Sequence, residues 1–296
     1  MDAERRLLPT GELERLATLG RWLAVSTVAR SKAGHTGGPL SAMDLLIALF
    51  FEELRIRPDQ PDWPDRDRFI LSKGHSAIGL YTVMALRGFF PVEELATFDK
   101  GDSRLQGHPD VTKLPGLETS TGSLGQGLSV GLGIALGARM SGRSVHTWVM
   151  LGDGEIQEGM VWEAVQMASR YRLSNLTAIV DCNALQQYGW TAGTQDRGDR
   201  RDPWSGIDLT AVFRAFGWRV IELDGHDFGQ IRAAFALARG AVEGDHPTVL
   251  LARTVKGKGL SFAEGKHTWH TGVATEDELA QAQIELAVDD MVKGSS

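Results

Sequence analysis

Apolar residues at Leu13, Leu16, Leu19, Leu23 and 25–28 return at helical spacing, and a second such run covers 42–54, so the pattern predicts two helices near the start of the chain. Short Val-, Ile- and Leu-dense runs follow at 68–71, 147–151, 176–180, 218–223 and 248–251, separated by longer helical or glycine-rich stretches. Strands without polar alternation are expected where helices cover both faces of a sheet. The expected fold is therefore a doubly wound α/β domain with a mostly parallel sheet, its ligand lying beyond the carboxyl ends of the strands. No repeat divides the chain, so 1–296 is read as one domain. The polar stretch 189–206 is expected to be a long surface loop, and 276–292 a last helix.

One segment departs from simple strand-and-helix alternation. HTWVMLGDGEIQEGMVWEAVQMA reads as a buried strand, a Gly-Asp-Gly turn and then a helix carrying Ile156, Val161, Ala164, Val165 and Ala168. Gly152 and Gly154 let the backbone turn sharply around Asp153 and approach a ligand, while the helix start turns free N–H groups toward the same place. A diphosphate there needs more positive charge than a helix end supplies, and a hard cation with oxygen ligands provides it. Asp153 is one candidate metal ligand. A second buried strand, LTAIVDC, ends at Asn183, whose amide oxygen is another candidate, with the Leu185 carbonyl a third. Mg²⁺ is the expected ion, with Ca²⁺ or Mn²⁺ as alternatives. Either piece alone is equally an ordinary turn; the pair, each after a buried strand, is the more specific signal.

Composition narrows the ligand class. A net charge of -7 with no basic run argues against nucleic acid or an anionic membrane and favours a small metabolite. Cys182 is the single cysteine, so no intrachain disulfide can form, and a reducing, cytoplasmic location is expected. No run has the length of a membrane span, and the N-terminal segment lacks the apolar core of a signal peptide.

The segments GHTGGPLSAMDLL, SKGHSAIGLYTVM, LQGHPD, TSTGSLGQGLSVGLGIALG, LGDGEIQEGMVWEA, VIELDGHD and KHTWH resemble, in order, the amino-terminal, diphosphate-binding part of transketolases. That resemblance implies thiamine diphosphate as cofactor, with Asp153, Asn183 and the Leu185 carbonyl on the metal. It also implies that Gly154 and His75 contact the diphosphate, that Gly122, Ser123, Leu124 and Gly152 line the cofactor, and that Glu158 lies near an interface linking paired sites. His35, His75, His108 and His267 match histidines that surround the reactive carbon, orient hydroxyls and move protons, a role suited to imidazole; His267 is counted with the cofactor contacts as well. His267 and His270 also have the spacing of a metal pair, but no third ligand lies nearby in sequence. His226 is expected to order a turn, and His146 to be structural.

The implied reaction is ketol transfer, a two-carbon unit passing from a ketose or ketose phosphate to an aldose. In transketolases the glutamate that activates the cofactor belongs to a following pyrimidine-binding domain, absent from this sequence. The expectation is an amino-terminal subunit of a split transketolase, completed by a separate pyrimidine-domain subunit in an α2β2 assembly. A decarboxylating relative, such as a deoxyxylulose-phosphate synthase or a 2-oxo acid dehydrogenase subunit, or a non-catalytic thiamine diphosphate binder, are the alternatives. SKGHS and GHTGGPL favour ketol transfer. Thr36 and Ser123 stand where many transketolases carry proline.

Overall fold

The computed structural model describes residues 7–187, 189–190, 208–240 and 246–288. Eight α-helices lie in this part of the chain. They are α1 (Thr10–Ser31), α2 (Gly37–Ala48), α3 (Ala77–Arg87), α4 (Gln126–Met140), α5 (Gly159–Arg170), α6 (Leu209–Ala215), α7 (Phe228–Arg239) and α8 (Glu276–Glu285). The strands are β1 (Arg68–Leu71), β2 (Thr147–Gly152), β3 (Leu176–Cys182), β4 (Leu185–Gln186), β5 (Gly189–Trp190), β6 (Arg219–Asp224) and β7 (Thr248–Arg253).

Five strands form one sheet in the order β1-β2-β3-β7-β6, and every pair is parallel. Alternation along the strands sends neighbouring side chains to opposite faces. On β2, Trp148 and Met150 join the core under α1, α2, α3 and α7, whereas Val149 and Leu151 join a second core under α4, α5 and α6. Both faces of the inner strands are thus dry, which explains why β2, β3 and β7 lack polar alternation, while edge strand β6 is half-exposed. The doubly wound α/β fold expected from the sequence is the fold observed.

The first predicted helix corresponds to α1, which buries Leu13, Leu16, Ala17, Ala24, Val25 and Val28. The second begins earlier than expected, at Gly37, and continues past Ala48 as a π-helical turn, Leu49–Glu53. All twelve residues of α2 are buried, so it has no polar face from which its start can be read. α1 can pack directly on it because Gly20 has no side chain: a Cβ there would lie 2.6 Å from Met43 Sδ.

Two further boundaries differ from expectation. The predicted loop 189–206 opens with β5, which pairs antiparallel with β4, and its remainder lies outside the described residues. The last helix is described over Glu276–Glu285, opened by a capping box between Thr275 and Glu278, and 289–296 lie outside the described residues. Among the described residues, no helix is long and apolar enough to cross a membrane.

Candidate active site

The carboxyl ends of β1, β2, β3 and β7 converge on one cleft of about 390 Å³. β1 delivers Lys73 and His75, β2 delivers Gly152, Asp153 and Gly154, β3 leads to Asn183 and Leu185, and β7 leads to Lys256. His35 reaches the cleft from the α1–α2 connection, Gly38 from the first turn of α2, and His270 from a short 3₁₀ turn, His267–His270. The Lys73-Gly74-His75 turn lies directly against the loop before α4. A Cβ on Gly74 would fall 2.6 Å from the Gly122 nitrogen, so only glycine permits this approach.

The two strand ends that carry the candidate metal ligands are tied together. Asp153 Oδ2 accepts from the Ala184 amide at 2.6 Å, and Asp153 Oδ1 from the Gly154 amide at 2.8 Å. Ala184 adopts a left-handed φ of 61°, a conformation costing a non-glycine residue about 1 kcal/mol or more, and here it directs its N–H at Asp153. Burial, reinforced by the nearby Asp181 carboxylate, pushes the Asp153 carboxyl up to about 7. Such a group gains from a neighbouring cation.

Beneath this carboxyl lies a closed buried network. Asp181 accepts from Lys73 Nζ and Thr254 Oγ1, from Ser41 Oγ at 2.6 Å and from Asn183 Nδ2 at 3.1 Å. Burial alone would raise Asp181, but Lys73 and these donors outweigh it and hold the carboxyl below its ordinary value. With Nδ2 so engaged, the orientation of the Asn183 amide is fixed; its Oδ1 accepts from the Leu185 amide at 3.1 Å. A second buried carboxylate, Glu155, accepts from Ser72 Oγ at 2.5 Å and from the Gly125 and Gly152 amides at 3.0 and 3.1 Å.

The chemistry of the lining fits a diphosphate with a hard cation. Lys73 and Lys256 supply positive charge, and Gly38, Gly122 and Gly154 expose bare backbone. Gly154 has little spare room, since a Cβ there would stand 3.1 Å from Gln186 Cγ. Among the described residues no three His, Cys, Asp or Glu side chains cluster as a metal site. A cation held here would draw on the Asp153 carboxylate together with amide and carbonyl oxygens, the ligand types of Mg²⁺ and Ca²⁺.

Three imidazoles crowd the mouth. Ring centroids lie 5.2 Å apart for His35 and His75, 5.1 Å for His35 and His270, and 5.0 Å for His75 and His270. Burial lowers all three, with help from neighbouring lysines and histidines: His35 to about 4, His75 to about 2 and His270 to about 3. At neutral pH they are uncharged, and each ring both donates and accepts. Burial also brings Lys256 down to about 8, and its Nζ sits 3.0 Å from His270 Nδ1.

Of the residues singled out from sequence, His35, His75, Gly122, Leu124, Gly152, Asp153, Gly154, Asn183 and Leu185 line the cleft. Four do not. His108 is exposed at the rim, its ring centroid 6.1 Å from that of His35 and its edge over Gly122. Ser123 is exposed between two lining residues, and Glu158 is exposed at the start of α5 with its side chain beside Gly125. His267 is the correction: it is exposed outside the cleft, and His270 takes the place expected of it. Trp269 is buried against Phe262, with ring centroids 4.9 Å apart. That anchor leaves the start of the turn in solvent and brings its end to Lys256.

Sequence reasoning does not single out Lys73, Lys256, Asp181 or Glu155. Lys73 stands inside SKGHS and Glu155 directly after Gly-Asp-Gly, so proximity to recognised motifs is the available signal; nothing local marks Lys256.

Comparison with known proteins agrees with the geometry. Residues 13–293 match the family described as transketolase, thiamine diphosphate binding domain. In Phocaeicola vulgatus, the A-type subunit of an apulose-4-phosphate transketolase is 39% identical over 275 residues, 93% of this chain and 94% of the relative. The 6-deoxy-6-sulfo-D-fructose transketolase subunit SqwG of Clostridium sp. strain MSTE9 is 38% identical, covering 93% of this chain and 96% of the relative. Among solved structures, Campylobacter jejuni transketolase superposes with a TM-score of 0.85 at 28% identity, over 95% of this chain but 43% of that one. Pichia stipitis transketolase in complex with sedoheptulose-7-phosphate gives 0.85 at 32% identity, over 93% and 40%. The sheet, the cleft at its carboxyl edge and these matches agree: the chain belongs to the transketolase family, as its thiamine diphosphate-binding domain.

Proposed function

We propose that this chain is the A-type subunit of a two-chain transketolase and that it holds the diphosphate and metal end of the cofactor while a separate pyrimidine-domain subunit completes the site. The observation that carries this is the meeting, in one cleft, of an oxygen-rich strand end, two lysines and three neutral imidazoles. Similarity to relatives named as transketolase subunits over nearly their whole length supports the two-chain arrangement. The half-exposed apolar side chains Leu124, Val130, Met160 and Met167 support an assembled protein, and α2β2 is the arrangement we propose.

In this reading Asp153, Asn183 Oδ1 and the Leu185 carbonyl hold Mg²⁺ or a similar hard cation. Lys256 and His75 meet the diphosphate, and Gly122, Leu124, Gly152 and Gly154 give it close backbone approach. Thiamine diphosphate, when bound, supplies the carbon nucleophile and electron sink that ketol transfer needs. The chain's own part is to orient and to move protons. Neutral His35, His75 and His270 hydrogen-bond substrate hydroxyls without placing fixed charge beside them, and each ring can take up a proton at its free nitrogen as it gives up the one on the other. Exposure at the rim supports a role for His108 in meeting the sugar as it enters, and exposure at the start of α5 a role for Glu158 at the neighbouring subunit.

The two relatives are named for ketoses bearing phosphate or sulfonate, which supports an anionic ketose as donor and an aldose as acceptor. A cytoplasmic location rests on the single cysteine. The test is to co-express the chain with the product of an adjacent gene, purify the complex, and screen ketol transfer among phosphorylated, sulfonated and neutral sugars with thiamine diphosphate and Mg²⁺. Release of carbon dioxide from a 2-oxo acid in place of ketol transfer would overturn the reading. Full turnover by this chain alone would overturn the partner.

A further inference from the structure

His226 lies in the Asp224-Gly225-His226-Asp227 turn between β6 and α7, outside the cleft. The turn does not need its ring. The Asp227 amide donates to the Asp224 carbonyl at 3.2 Å, the Gly225 amide to the Arg253 carbonyl at 2.7 Å, and the His226 amide to Asp224 Oδ1 at 2.9 Å. The imidazole is committed elsewhere. Its Nε2 accepts from the Val255 amide at 2.9 Å, and its Nδ1 is 2.6 Å from Asp44 Oδ2. An Nε2 that accepts carries no proton, so Nδ1 is the donor and the ring is held in one neutral tautomer. Asp44 is a fixed partner. Burial pushes its carboxyl up, but Arg21, donating to Oδ1 and Oδ2 at 3.0 and 2.5 Å, and His226 together bring it below its ordinary value.

Val255 directly precedes Lys256. The segment 254–257 is pinned by three amide donations: Thr254 to the Cys182 carbonyl at 3.2 Å, Val255 to His226, and Gly257 to the Gly37 carbonyl at 3.0 Å. Two of these acceptors are backbone; the middle one is a side chain. Lys256 leaves this segment to reach the Leu185 carbonyl at 3.1 Å and His270 Nδ1 at 3.0 Å.

We infer that His226 is a positioning residue for the cofactor cleft: oriented by Asp44 and Arg21, it holds the Val255 amide and so sets where Lys256 enters. The inference rests on the reading that this cleft binds a diphosphate. In metal centres, a carboxylate that orients a ligating imidazole alters affinity by about 10- to 100-fold, and the Asp44–His226 pair stands in the analogous outer position behind Lys256.

The test compares His226→Ala with His226→Gln, whose amide oxygen can replace Nε2 as an acceptor. Hydrogen exchange over 252–258 is read on the full chain alone, and thiamine diphosphate affinity at saturating Mg²⁺ on the chain co-purified with its partner subunit. Alanine is expected to speed exchange at Val255 and to weaken thiamine diphosphate by about 10-fold. Glutamine is expected to restore slow exchange and to bring affinity within about 3-fold of the parent. Unchanged exchange and affinity in the alanine variant would overturn the inference, as would a glutamine variant as weak as alanine. A parent complex that binds no thiamine diphosphate would instead sink the cofactor reading, and exchange at Val255 would still decide the positioning.

Discussion

The ammonium of Lys256 donates to the carbonyl of Leu185 at 3.1 Å, so the oxygen assigned to a metal ion already has a positive partner. A cation and this ammonium compete for one acceptor, and like charges repel at that distance. Metal arrival would release Lys256 toward the diphosphate. Lys256→Met is therefore expected to move two affinities in opposite directions: Mg²⁺ alone tightens by about 3-fold or more, while thiamine diphosphate weakens by about 10-fold. Calorimetric titration of each ligand checks this, and a parallel loss of both would sink the competition.

Asp153 bears on pH. With burial and Asp181 raising its carboxyl to about 7, a metal ion must displace a proton at any lower pH. Affinity for Mg²⁺ is expected to rise about 10-fold per pH unit up to about pH 7 and then level off. Titrations at pH 6 in buffers of different ionisation enthalpy should show close to one proton released for each metal bound.

Acid stability follows from the histidines. His35, His75 and His270 are lowered from 6.5 to about 4, about 2 and about 3, so below pH 6.5 the unfolded chain binds protons that the folded chain refuses. Their neutral state stabilises fully above pH 6.5 and progressively less as pH falls toward those values. Asp153, raised from 3.8 to about 7, works in the other direction, favouring the folded chain as pH falls across that interval. Asp67, Glu118 and Glu155, raised by burial, act with Asp153, while Asp44 and Asp181, held low by their partners, act with the imidazoles, so the imidazole share is read from the slope of melting temperature between pH 6.5 and 4 when one ring is removed. His75→Asn should flatten that slope, and an unchanged slope would remove His75 from the explanation.

Thr36 joins two histidine-bearing loops. Its buried hydroxyl donates to the Gly272 carbonyl at 2.6 Å, one residue from His35 on one side and two from His270 on the other. Thr36→Val keeps the shape and removes the donor, leaving the half-buried Gly272 carbonyl without this partner at a cost of about 1 kcal/mol. The expected kinetic signature is a fall in kcat/KM for the ketose donor in the assembled enzyme, with thiamine diphosphate affinity within about 3-fold of the parent. Thr36→Ser should restore the activity.

Much of this was legible in the sequence because it was local. Buried strands announced the parallel sheet, and Gly-Asp-Gly with Asn183 announced the meeting of β2 and β3 ends, since each piece follows its own strand. What was not legible depended on contacts across the fold. Lys256 lies 71 residues from Leu185, and the bond between them is made by tertiary packing alone. The choice of His270 over His267 was set by Trp269, whose burial decides which end of a single turn faces inward. Thr36 stood out only as a departure from proline, and its partner is 236 residues away. His226, expected to order a turn, spends its ring on Asp44 and Val255, contacts that no spacing rule describes.

Glu155 gathers the Ser72 hydroxyl and the Gly125 and Gly152 amides on one carboxylate, and Ser72 in turn accepts from the Gly127 amide at 3.1 Å. An engineer wishing to graft a new specificity loop onto this scaffold therefore has no freely exchangeable part among them. The turn after β1, the glycine loop before α4 and the Gly-Asp-Gly corner form one transplantable unit, to be swapped together or left alone.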